Sequence, residues 1–188
     1  MFLSRHSRLT CKFQTPEQSK LLIRGYHHGV TTEMNERLML ISEDERLTIG
    51  PTDGQETLAR AADVFRYIDS NFENWQCNAA GPPTEESFVD VYQMARDSTL
   101  QQMFGGFGVP LDRLTLTQSQ IKQFVKRYPG WLKKGGNGTF FLFEAGNRFF
   151  VAAVYFFSDG RLGVRVRHLA LARVFRTQKY HRLVVRSY

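Results

Sequence analysis

Apolar residues recur along this chain with two different periods, and the change of period divides it. Leu58, Ala62, Phe65, Ile68 and Phe72 fall three or four residues apart, which predicts an amphipathic helix over 55–73. Asp53 and Glu56 supply an acceptor and a first-turn acid for its free N–H groups. Pro82-Pro83-Thr84 predicts the opening of a second helix, in which Phe88, Val91, Tyr92 and Ala95 share a face. That helix is expected to end near Gly105-Gly106. A third starts at Thr117, whose spacing to Gln120 is that of a capping box. Its stripe is Ile121, Phe124, Val125 and Tyr128, halted by Pro129-Gly130.

On either side the period shortens to two. Short strands are predicted at 8–13, 20–24, 37–42 and 46–50. Ser42-Glu43-Asp44-Glu45 reads as the tight turn of a hairpin, and Leu38 to Ser42 as a strand buried on both faces. Further strands are predicted at 139–144, 148–157, 161–168, 169–176 and 182–187. Turns fall at Ala145-Gly146-Asn147 and at Asp159-Gly160. Asp-Gly between β-rich runs is a strong hairpin signal, because both turn positions must tolerate positive φ. Phe150, Ala152, Val154 and Phe156 lie on one face of their strand, and Phe149, Val151, Ala153, Tyr155 and Phe157 on the other. A strand apolar on both sides is central in its sheet and covered on both.

These patterns define an α+β fold: an antiparallel C-terminal meander, with or without the N-terminal strands, packed against about three helices. The helices cover one face, and the N-terminal strands or barrel curvature cover the other. A chain of 188 residues suits a single domain. Its parts are a strand-rich 1–50, a helical 55–132 and a β meander at 138–188, with 74–83 as a flexible connection. Trp131 is expected to anchor the third helix to the sheet.

Composition narrows the class. Hydrophobic residues make up 42% of the chain and Phe occurs 16 times, enough for a packed core. The longest apolar run, 149–157, falls well short of the roughly 20 residues of a membrane-spanning helix, so no membrane partner is expected. Cys11 and Cys77 form no disulfide framework and no metal-ligand spacing. They read as apolar fillers in a reducing, cytoplasmic setting. Arg5, Arg8 and Lys12 among Ser4, Ser7 and Thr10 have the composition of a transit peptide. They run on into strand-like residues, which weighs against targeting.

Charge changes the picture most. Residues 98–188 hold 15 Lys and Arg against Asp112, Glu144 and Asp159, a net of +12, whereas 33–97 carry a net of −9. Arg161, Arg165, Arg167, Arg173, Arg176, Lys179, Arg182 and Arg186 follow one another without a carboxylate. Arg161, Arg165 and Arg167 share one strand parity; Arg182 and Arg186 share one on theirs. If the strands pair, the guanidiniums line up on one sheet surface, where their planar forks suit phosphate. Lys133-Lys134 opens a glycine-rich loop whose N–H groups could hold a phosphate, although it feeds a strand and not a helix. The alternative for the arginines is the wet face of an antiparallel sheet, and for the loop a plain helix-to-strand link. Lys122, Lys126 and Arg127 read as the solvated face of the third helix. Phe104-Gly105-Gly106-Phe107-Gly108 reads as a helix cap and turn.

Catalytic chemistry finds no motif. There is no GxSxG, HxH or HExxH spacing. His168 and His181 are expected to meet across paired strands beside Arg167 and Arg182, where neighbouring cations oppose a metal ion. No catalytic residue, cofactor, metal or small-molecule ligand is indicated. Two functions follow. One is a nucleic-acid module meeting DNA or RNA backbone through Lys133, Lys134, Arg161, Arg165, Arg167, Arg173, Arg176, Arg182 and Arg186. The other is an assembly component in which the acidic and basic blocks pair, within one chain or between copies.

Overall fold

A computed structural model describes residues 36–135 and 137–188. The strands expected at 8–13 and 20–24 lie outside the described residues. The rest is an α+β fold built on a mostly antiparallel sheet of eight strands, counted among the described residues. In chain order these are β1 (Leu38–Leu40), β2 (Leu47–Ile49), β3 (Tyr67–Ile68), β4 (Ser87–Met94), β5 (Thr139–Ala145), β6 (Arg148–Phe156), β7 (Leu162–His168) and β8 (Arg182–Arg186). The spatial order is β1-β4-β8-β5-β6-β7-β3, with β2 also on β4. β5 with β8 and β3 with β7 are the parallel pairs.

The C-terminal meander forms as its pattern predicts, for local reasons. Gly146 and Asn147 both take positive φ, 55° and 58°, the pair that a two-residue turn between twisted strands requires. At the next turn only Gly160 does so. Phe157 N–H bonds to the Arg161 carbonyl, and Gly160 N–H to that of Phe157, so this loop is one residue longer than a two-residue Asp-Gly turn. β6 lies between β5 and β7, and its apolar faces feed two separate cores. The strand expected at 169–176 does not form. The chain turns at Leu169, then runs irregularly until Phe175 bridges to Ser98.

The N-terminal hairpin is also absent. β1 and β2 do not pair with each other; both lie antiparallel on β4, at Tyr92–Met94 and Ser87–Val89. The 42–45 turn is therefore a bulge in one interrupted strand. The Ser42 hydroxyl accepts from Val91 N–H there. Met39 is exposed, so this strand is not buried on both faces.

Two expected helices are overturned. Residues 55–73 form a single 3-10 turn at Leu58–Arg60, the edge strand β3 and one helical turn, α1 (Asn71–Asn74). Leu58, Phe65 and Phe72 are still fully buried, but the backbone bonds outward: Arg66 and Asp69 N–H groups go to carbonyls of β7. Residues 87–94 are β4, with Val89 and Val91 facing one core and Met94 the other. The real helix starts at Thr99, where a second capping box with Gln102 opens α2 (Leu100–Gly105). It ends at the expected glycines. α3 (Leu111–Leu114) and α4 (Gln118–Arg127) follow, α4 with its predicted Thr117 and Gln120 box.

The helices divide between the faces and do not share one. α4, α1 and the 58–60 turn cover the first face over Phe141, Phe143, Phe150 and Val184, and Trp131 packs against this core. α2 and α3 cover the second through Leu100, Met103, Phe104 and Leu114. Buried Gln118 ties the irregular stretches to the first face. Its Oε1 accepts from Leu58 N–H at 3.0 Å, and its amide donates to the Cys77 and Ala79 carbonyls at 3.1 and 3.0 Å. No helix among the described residues is long and apolar enough to cross a membrane.

Candidate functional site

Strand register decides which arginines meet. Ala153 pairs with Arg165 and Val151 with Arg167, so both guanidiniums rise on the second face. On β8, Arg182 and Arg186 share the parity of Val184, a first-face residue. The arginines of the two closing strands therefore project from opposite sides of the sheet, and the single surface expected from their spacing does not form. β7 and β8 are not neighbours either. His168 lies instead against Trp75, ring centroids 4.2 Å apart, and His181 stacks on Phe140.

Several cations are already engaged. Arg182 donates to the Trp131 carbonyl at 2.8 Å, and Arg186 to Gln120. Arg161 pairs with Asp159 in its own turn. Arg176 meets Asp97 at 2.8 Å, and Thr177 adds hydroxyl and N–H bonds to the same carboxylate. Those bonds, first from the Thr177 hydroxyl and N–H and then from Arg176, hold Asp97 down at about 2. On α4, Lys122 is buried between Glu56 and Asp63, and Lys126 lies 3.5 Å from Asp63. Burial alone would lower the Lys122 ammonium, but its two carboxylates raise it. The solvated face expected for Lys122 is thus an ion-paired one. Acidic and basic blocks meet within the chain at each of these contacts with Asp97, Glu56 and Asp63.

Three of the predicted arginines meet on the second face. The core under α2 and α3 takes in β4, β8, β5 and the Val151 and Ala153 positions of β6, and leaves the end of β6 with β7 and β3 open. Here Arg165, Arg167 and Arg173 line a concavity of about 300 Å³ with Phe140, Tyr155 and Phe175. His181 completes it. No carboxylate is among its described lining residues; Asp69 reaches Arg167 only at 4.0 Å. Arg165 lies over the rings of Tyr155 and Tyr67, 5.1 and 5.6 Å from their centroids, a placement that favours a cation. Gly163 makes the floor possible: a Cβ there would sit 2.7 Å from the Tyr155 ring. Burial raises the Tyr155 phenol and lowers the His181 imidazole. His181 Nδ1 lies 3.1 Å from the Gly138 nitrogen and 3.3 Å from its carbonyl oxygen, which holds the ring at the mouth of the Lys133 loop. Lys133 itself reaches over Tyr180, Nζ 5.2 Å from the ring; Lys134 is exposed in the same helix-to-strand link.

A larger concavity, about 820 Å³, lies elsewhere and carries Glu85, Glu86, Asp112 and Glu144 against Arg186 alone among its described lining residues. Its charge repels anions. The smaller, basic one is the better candidate.

Sequence reasoning names Arg165, Arg167, Arg173 and Lys133 as candidates but not the aromatic residues the structure places beside them. Tyr155 and Phe157 were expected beneath cover, yet Phe157 is exposed at the open end of β6. Tyr67 was assigned to a helix and stands on edge strand β3. The available signal was Gly163, a glycine inside a strand pattern, which marks a close approach by another group. Cys77 is buried, and burial pushes its thiol up to about 11, consistent with a filler and not a nucleophile. Comparison with protein-family models, curated proteins and solved structures finds no match.

Proposed function

We propose that this protein binds nucleic acid through the open half of its second sheet face. The observation that carries the reading is the convergence of Arg165, Arg167 and Arg173, from a strand and from the segment after it, on one aromatic-floored concavity. Guanidiniums attract phosphate strongly and lose least on desolvation when their forks meet phosphate oxygens; of the three, Arg167 also has the Asp69 carboxylate at 4.0 Å. Lys133 extends the basic rim. Arg161 and Arg176 are left out of the reading because they pair with Asp159 and Asp97, and Arg182 and Arg186 because they project from the opposite face.

The test is fluorescence anisotropy with labelled oligonucleotides over a salt series. Affinity is expected to fall steeply with salt, because each neutralised phosphate releases counterions. Arg165→Glu with Arg167→Glu is expected to abolish binding while the unfolding midpoint stays put. Arg186→Glu, on the opposite face, is expected to leave affinity within about twofold of the parent. Equal losses in both variants, or none in the first, would remove this surface from consideration. Salt-sensitive self-association by light scattering, with no oligonucleotide bound, would favour the assembly role instead.

A further inference from the structure

We infer that the nucleic acid taken up is single-stranded, with bases laid on exposed rings that flank the arginines; this rests on the binding reading above. Tyr67 is 40% and Phe157 38% exposed. Both belong to the second face: Tyr67 pairs with Gly163, and Phe157 follows Tyr155 at the same parity. Their rings meet edge to face, centroids 6.5 Å apart, and Phe157 is 5.3 Å from Tyr155. Large rings left in water beside guanidiniums lose solvation energy without a packing return.

The other end repeats the arrangement. Tyr180 is 52% exposed, under the Lys133 ammonium. Its backbone is left-handed, φ 48°, a conformation that strains a residue bearing a Cβ. The exposed ring belongs to the residue just before His181, which with Phe175 lines that end of the concavity.

A duplex has no use for such rings. Its base faces are stacked away, and it is read by an element entering a groove about 12 Å wide. Here the arginines stand on a sheet and in a concavity of about 300 Å³, the size for a nucleotide and not for a double helix. A single strand offers both parts: phosphates for Arg165, Arg167 and Arg173, and free base faces for Tyr67, Phe157 and Tyr180. Stacking on an aromatic ring is indifferent to base identity, so weak sequence preference is expected.

The experiment compares single strands of about 12 nucleotides, as DNA and as RNA, with the duplex of the same sequence at one salt concentration. Single strands are expected to bind more tightly than the duplex, and the DNA and RNA arms identify which strand is preferred. Tyr67→Ala with Phe157→Ala should weaken single-strand binding about tenfold to a hundredfold and leave the salt slope unchanged. Tyr67→Phe with Phe157→Tyr keeps the rings and should keep the affinity, which separates stacking from misfolding. Equal binding of duplex and single strand, with the ring variants indifferent, overturns this inference and leaves the phosphate-binding surface standing. Absence of any binding overturns both.

Discussion

The two faces of the sheet are made of similar strands but end differently. On the first, Phe141, Phe143 and Phe150 lie under α4 and the 55–77 stretch, and the cations that approach it are bonded to carbonyls or carboxylates. On the second, cover extends over Val151 and Ala153 of β6, and only the end of β6 with β7 and β3 is left open, carrying Tyr155, Arg165, Arg167 and Tyr67. The difference lies in cover and not in strand composition. A sheet whose second face is half roofed has room for a ligand where a third helix would otherwise pack.

Two phenylalanines, Phe150 on β6 and Phe157 just past its end, give the sharpest way to break this contrast. Phe150 is fully buried, stacked 5.8 Å from Phe143 and 6.5 Å from Trp75. Phe150→Ala is expected to cost about 3–5 kcal/mol in denaturant unfolding. Phe157→Ala, seven residues on, should stay within about 0.5 kcal/mol of the parent. Equal costs would mean that the second face is closed after all.

A smaller effect tests how the first face is sealed. Gln118→Ala removes one side chain and leaves Leu58 N–H and the Cys77 and Ala79 carbonyls without their partner. The expected cost is about 1–3 kcal/mol, with faster hydrogen exchange at Leu58 as its local sign. An unchanged exchange rate there would show that water replaces the amide and that the seal is not this residue.

The smallest effect concerns pH and the segment that carries Arg173 and Phe175 back to the open face. Asp97 holds that segment through Thr177 and Arg176, its carboxyl lowered from 3.8 to about 2. A lowered carboxylate binds protons less readily when folded. Its contribution is therefore complete above the unfolded value of 3.8 and disappears as pH falls from there toward about 2. Stability measured across that window should decline in the parent and decline less in Asp97→Asn. Parallel profiles would detach Asp97 from the acid response.

The features legible in the sequence are those decided within a few residues. The Thr117 and Gln120 capping box, the Gly146-Asn147 turn and the apolar alternation of β6 each satisfy their backbone groups locally, and each stands as predicted. The Thr99 and Gln102 box is equally local, but the helical spacing of 88–95 masks it by placing it inside an expected helix. The stripe at 58, 65 and 72 correctly named buried residues but not their backbone, since seven-residue spacing also fits an irregular path with contacts at intervals.

By itself, then, the chain determined the α+β class, the β5-β6-β7 meander, the start and stop of α4 and the separation of acidic from basic residues. Only the tertiary structure decided that β8 inserts between β4 and β5, and with it the parity that sends Arg182 and Arg186 to one face while Arg165 and Arg167 take the other. The reason is physical: a turn or a cap is closed by neighbours in sequence. Which face an arginine joins depends on strands and helices tens of residues away that bury one side of the sheet and leave the other half open.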